Sequence, residues 1–177
     1  MKIFFPQQIS TPLRWICRRA SLLLVMATLI LGMSLPAIAQ DSKLNYTYSE
    51  LPNKDFSGQQ LRAASFARAD VRSSNFHRSD LSRAILTEGN FMNTDLTEAN
   101  LTEAFMDQVN MSGADLTNAI FTDAVAPGTN FTDAEITGAD FSGALLDRYQ
   151  LSQLCKRASG TNSITGIETR YSLNCKD

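Results

Sequence analysis

From Phe56 to Leu146 every fifth residue is large and apolar, with one exception. These centres are Phe56, Leu61, Phe66, Val71, Phe76, Leu81, Leu86, Phe91, Leu96, Leu101, Met106, Met111, Leu116, Phe121, Ala126, Phe131, Ile136, Phe141 and Leu146, so eighteen of nineteen are bulky. Two places before the centre the residue is usually small, and it is Ala in eleven of the nineteen units. The place just before the centre is often Asp or Asn, and the place just after is often Ser or Thr. A period of five suits neither regular element. In a helix, successive fifth residues rotate away from one another; in a strand they fall on opposite faces. The centres reach one interior only if each unit forms one short side of a coil and the coils stack as a solenoid. The eighteen bulky centres are the predicted core, with the small residues turned inward beside them.

Runs such as Ala99-Asn100-Leu101-Thr102-Glu103 and Ala114-Asp115-Leu116-Thr117-Asn118 iterate A-[DN]-L-[ST]-x without gaps. In this the chain resembles the pentapeptide-repeat proteins. The resemblance implies an all-β fold, a right-handed quadrilateral β-helix with four pentapeptides per coil. At twenty residues per coil, the 95 residues of 54–148 give about 4.75 coils. The charges fit that coil length. A residue then lies one rung, about 4.8 Å, from the residue twenty places on. Arg68 meets Glu88, Arg78 meets Glu98 and Arg83 meets Glu103 at this spacing. Each is expected to be an exposed pair contributing on the order of 0.2–1 kcal/mol.

The flanks read differently. Arg14, Arg18 and Arg19 precede an apolar run from Leu22 to Leu35, and Ala37-Ile38-Ala39 supplies a cleavage signature. Residues 1–39 are therefore expected to be a signal peptide, with no stable membrane insertion once it is removed. Residues 40–53 read as a polar N-terminal arm closed by Pro52, and 54–148 as the solenoid. Ala126-Pro127-Gly128 interrupts the pattern and predicts a thinned core with a bulged corner or loop.

Residues 149–177 form a C-terminal cap in which the period changes. Asp147 is placed to cap a helix burying Leu151, Leu154, Cys155 and Ala158 and stopping near Gly160. Cys155 and Cys175 are the only cysteines after residue 39. In an exported chain they are expected to form one disulfide closing this short α-helical cap. Free thiols and a two-Cys metal site are the alternatives. The run from Leu154 to Gly166, followed by Thr169-Arg170-Tyr171-Ser172-Leu173-Asn174-Cys175, resembles the C-terminal cap of the lumenal pentapeptide-repeat proteins of cyanobacteria and chloroplasts. Ser163 stands where that family often has Pro. This resemblance implies export to the thylakoid lumen, with the periplasm as the alternative.

The leader carries four of the sixteen Lys and Arg and none of the eighteen acidic residues, so the rest of the chain holds 12 basic and 18 acidic groups, net −6. An acidic exported chain is a poor phosphate binder, and no nucleic-acid partner is expected. The basic residues gather in the first coils and the acidic ones later. His77 is the only histidine and is read as solvated. No triad or metal cluster emerges, so no enzyme activity, catalytic residue, metal or cofactor is expected. Asp95, Asp115 and Glu135 share a column, with backbone hydrogen bonding at the corners preferred to cation binding.

One column just before the centres breaks the Asp/Asn rule: Ser65, Ile85, Phe105, Val125, Leu145. If Ile85, Phe105, Val125 and Leu145 point outward, they form an apolar interaction stripe, and Ile120 widens it from a neighbouring side. The competing reading is that the chain covers the stripe with its own arm or helix. The function expected is a non-catalytic scaffold binding an unidentified protein partner, with self-association left open. The alternative is an acidic DNA-mimic-type inhibitor of a nucleic-acid enzyme.

Overall fold

All but one of the five-residue units close the same tight turn; in the Leu51 unit the Lys54 N–H goes instead to the Ser74 hydroxyl. The N–H three residues after a centre returns to the carbonyl of that centre, as from Ala64 to Leu61 at 2.9 Å and from Ala84 to Leu81 at 3.0 Å. The residue two after the centre takes a left-handed backbone at all twenty such positions from Tyr48 to Gly143, with φ between 55° and 71°. Fifteen of the twenty are not glycine. That conformation costs an L-residue roughly 1–2 kcal/mol. The cost is offset because the same N–H bonds forward to the next coil, as from Arg68 to the Thr87 carbonyl at 2.9 Å.

The computed structural model describes residues 44–176, and the expected leader lies outside the described residues. Every residue preceding a centre makes a parallel bridge with the residue twenty ahead, from Asn45↔Ser65 to Val125↔Leu145. Three backbone bonds join each side to the next rung: Phe66 N–H to Ile85 O at 2.7 Å, Arg68 N–H to Thr87 O, and Ile85 N–H back to Ala64 O at 2.9 Å. The centres fill the interior, nearly all with no exposed surface. Aromatic centres stack between rungs, Phe56 on Phe76 and Phe121 on Phe141, each with centroids 4.8 Å apart.

Four expectations are corrected. First, most of the expected arm is coil. Residues 45–53 already bridge to the second rung, and the Tyr46 ring stacks 4.7 Å from Phe66 as a further centre. Second, Ala126-Pro127-Gly128 makes neither bulge nor loop. Gln108 N–H still reaches Pro127 O at 3.0 Å, and Gly128 takes the usual left-handed place. Proline fits because the ladder draws no N–H from the residue after a centre. Third, Leu146 is only partly buried, since no further rung lies beyond it. Fourth, His77 is half-buried and pairs through Nδ1 with Thr97 Oγ1 at 2.6 Å.

Helix α1 (Arg148–Arg157) starts at Asp147, whose carboxylate accepts from Gln150 N–H, and it buries Leu154. Arg157 donates to the Ala134 carbonyl at 2.8 Å, which another rung would otherwise satisfy, and to the Phe131 carbonyl at 2.5 Å, which also closes the turn to Ala134 N–H. The segment after Gly160 returns to the coils through buried Asn162. Its amide donates to Asn118 O at 3.1 Å and to Ala119 O at 3.4 Å. Helix α2 (Thr169–Ser172) follows, and Leu173 is buried after it. A disulfide joins Cys155 to Cys175 across a Cα separation of 5.6 Å.

Candidate interaction surface

The residue before each centre faces outward, and what it does depends on its side chain. On three of the four columns Asp, Asn or Glu at this place accepts the N–H two residues on. Asp95 takes Thr97 N–H at 2.9 Å, Asn100 takes Thr102 at 3.1 Å, and Glu135 takes Thr137 at 2.9 Å. The carboxylates of Asp95, Asp115 and Glu135 are thus committed to turn N–H groups. Those donors, with the Thr137 hydroxyl first, hold the Glu135 carboxyl below its ordinary range.

The fourth column carries Ile85, Phe105, Val125 and Leu145, consecutive partners in one ladder. Phe105 is 52% exposed and Leu145 63%, while Ile85 and Val125 are half-buried. Among the described residues, Phe105 and Leu145 are thus left open to solvent. An apolar residue here forgoes the side-chain bond to the turn, and the N–H groups of Thr87 and Asp107 have no acceptor among the described residues. Each neutral hydrogen bond of that kind contributes about 0.5–1.5 kcal/mol. The column therefore gives up local stability for apolar surface, a departure from the repeat's own rule that is expected at functional places. Ile120 does not extend this column. It sits in the neighbouring ladder between Asn100 and Asp140.

Charges border the stripe unevenly. Beside its first rungs the acids are paired: Arg68 with Glu88 at 2.8 Å and Arg83 with Glu103 at 2.6 Å. Arg78 and Glu98 pair at 2.7 Å on another side. Hydrogen bonding to the arginines lowers the titration of Glu88, Glu98 and Glu103. A pair the sequence reading missed, Arg72 with Asp70 at 2.7 Å, lies within one unit. Beside the later rungs, Asp107 and Asp123 make no ion pair among the described residues. Elsewhere, Phe131, Thr132, Tyr149, Gln153, Lys156 and Arg157 border a polar cleft of about 300 Å³ between α1 and the coils.

Comparison with known proteins matches residues 47–78, 74–113 and 110–148 to the family model described as pentapeptide repeats, in eight copies. The structure of a pentapeptide repeat protein from the Arabidopsis thaliana thylakoid lumen is 38% identical, covering 72% of this chain and 89% of that one with a TM-score of 0.71. A pentapeptide repeat protein from Nostoc PCC 7120, 20% identical, covers 72% of this chain and 94% of its own at a TM-score of 0.52, a likeness of fold. Thylakoid lumenal protein TL20.3 of Arabidopsis thaliana is 56% identical over 36 residues, a match spanning 20% of this chain and only 13% of that protein.

Proposed function

Since the chain belongs to the pentapeptide-repeat family of right-handed β-helices, we propose that it is a non-catalytic scaffold of the thylakoid lumen that binds another protein through the Ile85–Leu145 ladder. The finer architecture belongs to the same proposal: a leader over 1–39 removed on export, and a four-sided rod closed at its C-terminal end by the disulfide-held cap. The observation that carries the reading is the exposure of Phe105 and Leu145 on one ladder, two rungs apart on either side of half-buried Val125. On the other three columns the equivalent place is mostly polar and hydrogen-bonded to the turn. Lumenal relatives support the compartment. An acidic-mimic role is less well supported, because Arg68, Arg72, Arg78 and Arg83 interrupt any continuous acidic face.

The experiment is a double substitution, Phe105→Asp with Val125→Asp, in the chain lacking residues 1–39. Both side chains face outward, so the fold should survive, as read by circular dichroism and melting. Recovery of the partner from isolated membranes should fall to background. A folded double variant that recovers the same partner at the wild-type level would overturn the proposal.

A further inference from the structure

The ladder has a spacing as well as a chemistry, and the spacing selects among partners. Its apolar residues repeat once per rung, about 4.8 Å apart. An extended strand lying along the rod presents one face every two residues, about 6.8 Å, and over three intervals runs roughly 6 Å out of step. A helix presents one face once per turn, every 5.4 Å, and over the same intervals is out of step by only about 2 Å. Inclining the helix by roughly 25–30° to the rod brings each turn onto a rung.

The border of the ladder has a sign. Asp107 follows Phe105 by two residues, and Asp123 precedes Val125 by two, so the carboxylates stand at the two corners flanking these adjacent rungs. Asp123 is exposed and Asp107 half-exposed. Neither takes part in the four ion pairs of the described residues. Glu88 and Glu103, beside the earlier rungs, are already neutralised by Arg68 and Arg83.

We infer that the Ile85–Leu145 ladder receives a basic amphipathic helix of the partner protein, its apolar face on Phe105, Val125 and Leu145 and its Lys or Arg residues beside Asp107 and Asp123. The inference rests on the scaffold reading and gives its partner a shape and a charge. This is helix-in-groove recognition transferred to a flat ladder, with the exposed rim charges setting orientation and choice of partner more than affinity.

The test uses the chain lacking residues 1–39 and two synthetic peptides of about fourteen residues, some four helical turns. Both carry the same leucine face; one is flanked by Lys and the other by Glu. Binding is followed by fluorescence anisotropy. The Lys peptide should bind saturably, with affinity reduced about five- to tenfold by Asp107→Asn with Asp123→Asn, a pair that leaves the apolar ladder intact. Phe105→Asp with Val125→Asp should abolish binding. Equal binding of the Glu peptide, or indifference to the two Asn substitutions, would overturn the basic helix while leaving the ladder as a docking face. Lys-peptide binding that ignores Phe105→Asp with Val125→Asp would place the peptide elsewhere and overturn the inference too. A wild-type chain that sediments as a dimer, and becomes monomeric in that variant, would replace the helix by a second copy. The membrane recovery experiment on the same variant reports separately on the scaffold reading.

Discussion

Asn162 is the most deeply buried of the side chains that tie the C-terminal segment to the coils, beside Arg157 and Ser172, and replacing it gives the sharpest test of how the rod is closed. It is 1% exposed. Its amide nitrogen donates to Asn118 O and Ala119 O at 3.1 and 3.4 Å, and its oxygen accepts Ile164 N–H and Thr165 N–H, both at 2.9 Å. Asn162→Ala removes four bonds. The N–H groups of exposed Ile164 and Thr165 can turn to water, so most of the loss falls on the two donor bonds to carbonyls packed beneath the cap. At about 0.5–1.5 kcal/mol for each bond, discounted for the two exposed donors, the expected loss is roughly 2–3 kcal/mol. For a chain of this size that lowers the melting temperature by about 6–12 °C. Asn162→Asp keeps the acceptor but turns a carboxylate towards two carbonyls, and should cost at least as much. Hydrogen exchange locates the effect. In a stacked repeat each coil touches only its neighbours, so protection should fall in 148–176 and the last coils before the centre. An Asn162→Ala protein within about 0.5 kcal/mol of wild type, or one that first loses protection around Phe76, would refute this account of the cap.

Further tests address other parts of the rod. Reducing the Cys155–Cys175 bridge frees a loop of 20 residues; it should lower stability by roughly 3 kcal/mol in the chain-entropy model while leaving the β circular dichroism of the coils in place. Ala63→Gly should raise the melting temperature slightly, by up to about 1 kcal/mol of stability, because Ala63 sits at φ 55°, where glycine has no steric cost; calorimetry of the single variant checks it. The Glu88, Glu98 and Glu103 carboxyls titrate below their ordinary 4.5 in the folded rod. Their contribution is therefore complete above that pH and lost as the pH falls through the lowered folded values. Substituting Arg68, Arg78 and Arg83 together by Met should flatten that acid limb of the melting curve.

The parts of the fold that were legible in the sequence are those written in steps of five and twenty. The buried centres follow from the period, and the rung spacing from three Arg–Glu pairs. Asp147 announces α1, and two cysteines after an expected export leader announce their bridge. The errors share a physical cause. Pro52 and Pro127 were read as breaks, yet both occupy the place after a centre, where the ladder uses no N–H and a fixed φ does no harm. That misreading hid the first rung, although Asn45 before Tyr46 and Glu50 before Leu51 already kept the period. Asn162 and Arg157 were not legible, because their partners lie far away in the chain. Arg157 reaches carbonyls 23 and 26 residues back, and Asn162 reaches 43 and 44 residues back. No local pattern encodes such distances. The ladder was visible as a column, but its exposure depended on where α1 would lie.

The cap follows every coil in the sequence, so a ribosome releases it after them. Every rung made earlier is a template with one raw edge, able to pair with the next arriving twenty residues or with any other strand in reach. Growth of the rod is therefore directional, and its terminator arrives only with Arg157 and Asn162. Until then a half-delivered chain is an unfinished surface. A stop codon a few dozen residues early would leave it so permanently, exposing the flat aromatic faces of Phe131 and Phe141 that the full chain conceals. Truncations of this protein should therefore fail by aggregating, even when every coil they retain is intact.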